Sequence, residues 1–416
     1  MGRAWGCVPR VRRPVRPGRE VGRRCVVPIR VLVVDDSVVI RRLLVQALES
    51  ETDVEVVGTA SDGARALLKA EQLRPDAITM DIEMPEMDGV TAVRELRRRG
   101  VRVPIVMFST LTARGASSTL DALAAGASDY VTKPSNVGSL AEALSRVAGE
   151  LVPKLRALVG RGTRPTALAP AGARPALGAA PARATVPAPA PAPALGGLRG
   201  VSVRRTPAVL PPAPTHPVRA VVVGSSTGGP EALSRVVGGL RRPLPVPMIV
   251  TQHMPPLFTA QLALRLDRLG PSTVVEASDG DVLRPGHVYV APGDFHLELA
   301  GTATAARIVL TQSPPVNFCR PSVDVMVRSA LSVLGPHLLG VVLTGMGQDG
   351  AAAAAELVEA GGTMISQDEA TSVVWGMPGA VAAAGSTHRI LPLDVVADAI
   401  MSRCADSGAF TVGGAS

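Results

Sequence analysis

The stretch Ala220-Val221-Val222-Val223-Gly224-Ser225-Ser226-Thr227-Gly228-Gly229-Pro230 decides how the second half of the chain folds. Its four leading apolar residues predict a short strand buried on both faces, as in a parallel sheet. Small residues follow, which let the chain turn tightly and leave backbone N–H groups free. Pro230-Glu231-Ala232-Leu233 then opens a helix, with proline suited to the first helical position. A hydroxyl at such a turn sits at the carboxyl end of its strand, where open α/β sheets place their ligands. Two chemistries fit this stretch alone: a cradle for phosphate or nucleotide, or a turn that presents a nucleophile.

Two further loops follow apolar strands in the same region. Thr251-Gln252-His253-Met254-Pro255 comes after Met248–Val250, and Thr344-Gly345-Met346-Gly347-Gln348-Asp349-Gly350 comes after Val341–Leu343. A hydroxyl nucleophile needs a base to take its proton, and an imidazole base needs a carboxylate to fix its tautomer. Ser226, His253 and Asp349 supply those three types on three strand ends, and glycines around Met346 free backbone N–H groups for an oxyanion. Singly, each has a plain structural role: serine in a turn, histidine as a hydrogen bonder, Asp349 as the N-cap of the helix after Gly350. A dinucleotide site would want an acid about 20 residues past the glycines, and residues 244–252 are apolar or neutral.

At 416 residues the chain has room for two or three cores. Its four cysteines (Cys7, Cys25, Cys319, Cys404) lack metal-ligand or disulfide spacing, and a reducing, cytoplasmic setting is expected. No apolar run reaches the roughly 18 residues of a membrane span. The net charge of +8 is unevenly placed. Residues 1–30 carry +8 and residues 154–217 carry +9, which leaves −9 for the remainder. The positive charge therefore lies in segments without core-forming residues, which argues against a basic nucleic-acid-reading face. Residues 1–28 are expected to be a disordered basic extension, residues 154–217 a Pro/Ala/Arg-rich linker and residues 406–416 a tail. Residues 29–153 and 218–405 are the two folded domains.

In the first of these, Arg30–Val34, Val54–Thr59, Ala77–Met80, Pro104–Phe108 and Asp129–Thr132 predict five strands alternating with helices. That alternation gives a doubly wound parallel α/β sheet, whose right-handed crossovers bring Asp35, Asp36, Asp81, Ser109 and Lys133 to one carboxyl edge. Three gathered carboxylates call for a hard cation that keeps some of its water, which suits Mg²⁺.

Val-Asp-Asp-Ser at 34–37, Met-Asp-Ile-Glu-Met-Pro-Glu-Met-Asp-Gly at 80–89 and Thr-Lys-Pro at 132–134 resemble a response-regulator receiver domain. The resemblance implies that Asp81 accepts a phosphoryl group from a histidine kinase while Asp35, Asp36 and Asp81 hold Mg²⁺. It also implies that Ser109 and Lys133 contact the phosphoryl oxygens, that Tyr130 is the aromatic that rotates on activation, and that Lys133–Pro134 is cis.

The second domain is expected to be an α/β, Rossmann-like unit with strands at 219–223, 247–251, 287–291, 307–310, 338–343 and 363–366. Gly-Ser-Ser-Thr-Gly-Gly at 224–229, Pro-Pro-Val-Asn at 314–317, Arg-Pro-Ser-Val-Asp at 320–324 and Gln-Asp-Glu-Ala-Thr-Ser-Val-Val-Trp-Gly-Met-Pro at 367–378 resemble the chemotaxis protein-glutamate methylesterases. So do the histidine and Met346 loops. The resemblance implies Ser226 as nucleophile, His253 as base, Asp349 as its orienter and the Met346 N–H as an oxyanion donor. It implies demethylation of chemoreceptor glutamates and deamidation of receptor glutamines, with no cofactor for the ester chemistry. A monomer that neither inserts in a membrane nor binds nucleic acid is expected. Phe318-Cys319 departs from the basic or histidine residues usual before Arg-Pro-Ser-Val-Asp.

Overall fold

A computed structural model describes residues 27–134, 139–160 and 209–405. The expected basic extension, linker and C-terminal tail lie, over residues 1–26, 161–208 and 406–416, outside these described residues.

The first domain runs β1 (Ile29–Val34), α1 (Val38–Glu49), β2 (Val54–Ala60), α2 (Gly63–Leu73), β3 (Ala77–Asp81), α3 (Gly89–Arg98), β4 (Ile105–Ser109), α4 (Ala113–Ala124), β5 (Asp129–Thr132) and α5 (Leu140–Val159). All strand pairs are parallel, in the order β2-β1-β3-β4-β5. Val31 to Val34 and Ile105 to Phe108 are buried on both faces because helices cover the sheet on each side. The side chains of Ser37, Asp62, Asp88, Thr112 and Ser139 cap five helices, so each start is encoded locally. α5 continues to Val159, so residues 154–159 belong to the receiver fold rather than to the linker: Leu155, Leu158 and Val159 are buried in its core.

The second domain continues with β6 (Ala220–Ser225), α6 (Gly229–Gly238), β7 (Met248–Gln252), α7 (Phe258–Asp267), β8 (Thr273–Glu276), β9 (His287–Val290), β10 (His296–Thr302), β11 (Ala305–Thr311), α8 (Val323–Leu334), β12 (Leu338–Val342), α9 (Ala351–Glu359), β13 (Thr363–Gln367), α10 (Met377–Ala383), β14 (Arg389–Leu391) and α11 (Leu393–Ala405). Seven strands form a parallel sheet in the order β14-β13-β12-β6-β7-β9-β8, and β10 and β11 make a separate antiparallel hairpin. Sequence patterning misses β8, β10, β14 and α10: β8 and β14 have four and three residues, too few for a period to show, and β10 pairs only with β11, outside the parallel sheet. Residues 209–217, expected as linker, are tied to this domain. Leu210 N donates to Thr387 O, and the Arg403 guanidinium donates to Pro214 O and His216 O.

The central trio β12-β6-β7 fixes the site. The chain leaves β6 toward β7 on one side and returns to β12 on the other, so a crevice opens at the carboxyl ends of these three strands.

Two glycines give opposite expectations. A Cβ on Gly89 would lie 1.9 Å from the Asp81 carbonyl oxygen, whereas one on the exposed Gly149 within α5 meets nothing within 4 Å. Gly89→Ala is expected to cost ~1–3 kcal/mol. Gly149→Ala is expected to add roughly 0.5–1 kcal/mol through helix propensity. Chemical denaturation of the full chain, followed at the receiver transition, checks both signs.

Candidate functional site

At the receiver edge, Asp35 directly follows β1, Asp81 ends β3, Ser109 ends β4 and Lys133 directly follows β5. Lys133 Nζ lies 2.8 Å from Asp81 Oδ1 and 3.0 Å from Asp35 Oδ2. The second contact is an ion pair outside hydrogen-bond geometry, so the buried Asp35 Oδ2 has no hydrogen-bond partner. Ligand oxygens of Asp35, Asp36 and Asp81 all lie within 4.8 Å of one another. Burial raises the Asp81 carboxyl to about 6, with Asp35 adding to the rise and Lys133 opposing it; burial also raises Asp35. A buried carboxylate oxygen whose neighbour is only the Lys133 ammonium, and two acids that resist ionisation, fit a hard divalent cation. Ser109 Oγ is turned toward α4 instead, accepting from Thr119 Oγ1 at 2.8 Å and donating to Gly115 O at 3.2 Å. The cis peptide bond among the described residues is Arg320–Pro321; Lys133–Pro134, expected to be cis, is not, since an X-Pro bond prefers the trans form unless its surroundings oppose it.

In the second domain the two serines separate cleanly. Ser225 ends β6, is fully buried and donates to Gln252 Oε1 at 2.6 Å; Ser226, one residue on, is partly exposed. Ser226 N donates to Thr344 O, and its carbonyl accepts from Gly229 N and Gln252 Nε2. The Ser226 and Gly229 N–H groups are therefore committed to the protein, which leaves fewer donors for a phosphate at this turn. Gly229 is needed because a Cβ there would fall 1.9 Å from Gln252 Oε1.

His253 Nε2 meets Asp349 Oδ2 at 2.8 Å, with both side chains nearly buried. Asp349 is not the cap of its own helix, where Gly350 takes that position with φ +88°. It serves α8 instead. Val323 N donates to Oδ2 at 2.6 Å, Ser322 Oγ to Oδ1 at 2.8 Å and Asn317 Nδ2 to Oδ1 at 2.8 Å. Burial disfavours the charge, but His253, Asn317 and the Val323 N–H outweigh it and hold Asp349 at about 2. Burial likewise works against the imidazolium, yet Asp349 and Cys319 push His253 up to about 9. With Nε2 given to Asp349, Nδ1 is the nitrogen left for a substrate or nucleophile. Among the described residues no hydrogen bond joins it to Ser226; it faces Cys319 Sγ at 3.5 Å. The Met346 N–H has no partner among the described residues, as an oxyanion donor requires.

The receiver reaches this site. Thr227, next to Ser226, donates to Asp129 Oδ2 at 2.8 Å, and Lys154 Nζ lies 3.0 Å from the same oxygen. Tyr130 stacks on Phe258 with ring centroids 4.8 Å apart. Val374 belongs to the same buried apolar cluster as residues of the receiver, and Met346 packs against that cluster. A cavity of about 580 Å³ remains between the domains, lined by Tyr130, Lys154, His253, Phe318, Cys319 and Arg320 among others. Sequence reasoning missed Asn317, Ser322, Thr227, Asp129 and Phe258. Thr227, Asn317 and Ser322 carried a signal, as members of the quoted motifs.

If His253 is the base, the rate is expected to fall about ten-fold per unit as pH drops below about 9, not below the 6.5 of an unperturbed imidazole. A pH–rate profile under chemistry-limited conditions measures this, and a limb near 6.5 would mean that the Asp349 contact is absent in the working enzyme. The raised value also links to stability: this contribution is complete below pH 6.5 and is lost as pH rises through about 9. At the receiver, Asp81 takes up a proton below about 6, so Mg²⁺ should raise the melting temperature more at pH 8 than at pH 5. Asp36→Asn should shrink the gain, as thermal melts at the two pH values would show.

Comparison with known proteins agrees with this architecture. Residues 31–145 match the model of the response regulator receiver domain, and residues 221–400 match that of the CheB methylesterase. A protein-glutamate methylesterase/protein-glutamine glutaminase of Nocardioides sp. is 54% identical over 91% of this chain and 96% of its own length. One from Azospirillum brasilense is 44% identical over 91% and 94%. The crystal structure of the Thermotoga maritima CheB methylesterase catalytic domain is 41% identical, covers 44% of this chain and 98% of that one, and superposes with a TM-score of 0.44. With a receiver fold in front, a seven-stranded parallel sheet behind and relatives matched along nearly their whole length, this chain belongs to the CheB methylesterase family.

Proposed function

We propose that this chain is a phosphorylation-activated chemotaxis response regulator that hydrolyses glutamate methyl esters on chemoreceptors and deamidates receptor glutamines. The observation that carries this reading is the buried His253–Asp349 pair and, one strand end away, the partly exposed Ser226, with Nδ1 the ring nitrogen not taken by Asp349. Ser226 Oγ attacks the ester carbonyl carbon while its proton passes to His253 Nδ1. The Met346 N–H donates to the oxygen that becomes negative. Collapse breaks the bond to methoxide, which leaves as methanol with the proton from His253. Water then attacks the acyl-serine by the same route, releasing the glutamate carboxylate and returning the proton to Ser226. For a glutamine side chain the leaving group is ammonia. Asp349, ionised throughout, holds the tautomer.

The receiver supplies control. Asp129 on Thr227 and Tyr130 on Phe258 occupy the approach that a receptor helix needs. A histidine kinase transfers a phosphoryl group to Asp81, adding nearly two negative charges next to Lys133. Mg²⁺ held by Asp35, Asp36 and Asp81 would neutralise charge on the transferring group. Ser109 then leaves Thr119 for the phosphoryl oxygens and Tyr130 withdraws from Phe258, loosening the contact. A resting population of ~90–99% closed needs only ~1.4–2.7 kcal/mol of bias to open.

Methanol release from methylated receptor membranes, with and without a small phosphodonor, tests the reading. Ser226→Ala should abolish release, and Asp349→Ala should cut it by roughly 10³–10⁴-fold. Ser225→Ala should keep a substantial fraction, since Ser225 only supports Gln252. Fragment 209–416 should outpace the unphosphorylated full chain, and Asp81→Asn should hold the full chain at its low rate. Equal loss in both serine variants would reverse the nucleophile assignment.

A further inference from the structure

The residue at which this chain departs from its family's motif stands on the catalytic base. Cys319 Sγ lies 3.5 Å from His253 Nδ1, is partly exposed and lines the cavity between the domains. Three features of this contact are those of a chelating pair. First, Asp349 takes the Nε2 side of the ring, so the Nδ1 side faces the sulfur and offers its lone pair once deprotonated. A carboxylate behind a histidine is the arrangement that orients imidazole ligands toward zinc and makes them more basic. Second, a tetrahedral zinc ion with ordinary Zn–S and Zn–N bonds separates the two donors by about 3.5 Å, the spacing found. Third, the carboxylate is already saturated by Ser322, Asn317 and Val323, so it remains in the outer shell and stays fixed when a cation arrives.

We propose that His253 Nδ1 and Cys319 Sγ form a two-point site for a soft divalent cation, Zn²⁺ by its ligand chemistry, and that occupancy inhibits the esterase. Binding displaces two protons to solvent, one from the thiol and one from Nδ1 of the imidazolium, and forms one Zn–S and one Zn–N bond. Water fills the other positions from the cavity. The lone pair that would accept the Ser226 proton is then committed to the metal, so acylation stops without any change at Ser226. Removal of the ion by a chelator restores the base. Mg²⁺ does not compete, because a thiolate and an imidazole are poor partners for a hard cation, so the receiver and this site sort the two metals by donor type. The inference rests on His253 being the base only for its inhibitory consequence, not for the chelate itself.

The test uses the full chain in a Cys7→Ser/Cys25→Ser background, which leaves Cys319 and the fully buried Cys404. Co²⁺ is added to chelator-treated protein and the near-ultraviolet thiolate-to-cobalt charge-transfer band is followed. The band should appear at one equivalent and vanish in Cys319→Ser and in His253→Gln. Cobalt on the receiver carboxylates gives no such band. In parallel, Zn²⁺ is titrated against methanol release with Mg²⁺ in excess, each variant being compared with its own metal-free rate. Cys319→Ser should weaken inhibition by ~10-fold or more. A band that persists in Cys319→Ser, no band at all, or equal zinc sensitivity in both chains overturns the proposal. Because the cobalt spectrum does not depend on turnover, a chain with the band but without ester hydrolysis would count against the proposed function and leave the chelate standing.

Discussion

The Asp349 carboxylate is the point on which the catalytic domain depends. One buried anion takes the backbone N–H of Val323 at the start of α8, the hydroxyl of Ser322, the amide of Asn317 and the imidazole of His253. A charge this deep is costly unless it is fully hydrogen-bonded, and a helix N-terminus is among the best partners a fold can offer. Because those donors come from the 317–323 segment that leads into α8 and from His253 just past β7, satisfying the anion locks both to the loop after β12. The catalytic geometry and the stability of the crevice are consequently one set of bonds.

A second buried anion performs the corresponding task between domains. Asp129 sits at the start of β5, yet its Oδ2 takes both Lys154 from its own domain and Thr227 from the other. Thr227 adjoins the candidate nucleophile, and Tyr130 adjoins Asp129, so the receiver's β5 and the nucleophile turn touch through consecutive residues. Any rearrangement that moves β5 is felt at the turn without an intervening chain of contacts. The apolar part of the interface, with Tyr130 on Phe258 and Val374 joined to an apolar cluster of receiver residues, supplies area, while the polar pair supplies register.

Much of both folds was legible in the chain. Apolar runs such as Ala220–Val223 and Val31–Val34, each ending in small or acidic residues, announce buried parallel strands and mark where polar groups will collect. Short edge pieces such as Thr273–Glu276 and Arg389–Leu391 escaped, because three or four residues carry no usable period. The reach of α5 was misjudged for a related reason: beyond Lys154 the composition turns basic and linker-like, while Leu155, Leu158 and Val159 still keep helical spacing toward the core.

The sequence by itself determined the two domains, the carboxyl edges and the residue types gathered there, since strand alternation and crossover handedness leave few places for Asp81, Ser226, His253 and Asp349 to go. Tertiary structure alone decided which donors those groups receive. Asp349 proved to cap a helix that begins before it in the chain, Ser225 proved to be support rather than surface, His253 was raised to about 9, and Cys319 came to face its Nδ1. Each of these depends on contacts between residues far apart in sequence inside a low-dielectric crevice, where a single hydrogen bond to a charge outweighs local preference. No periodicity or spacing encodes such contacts.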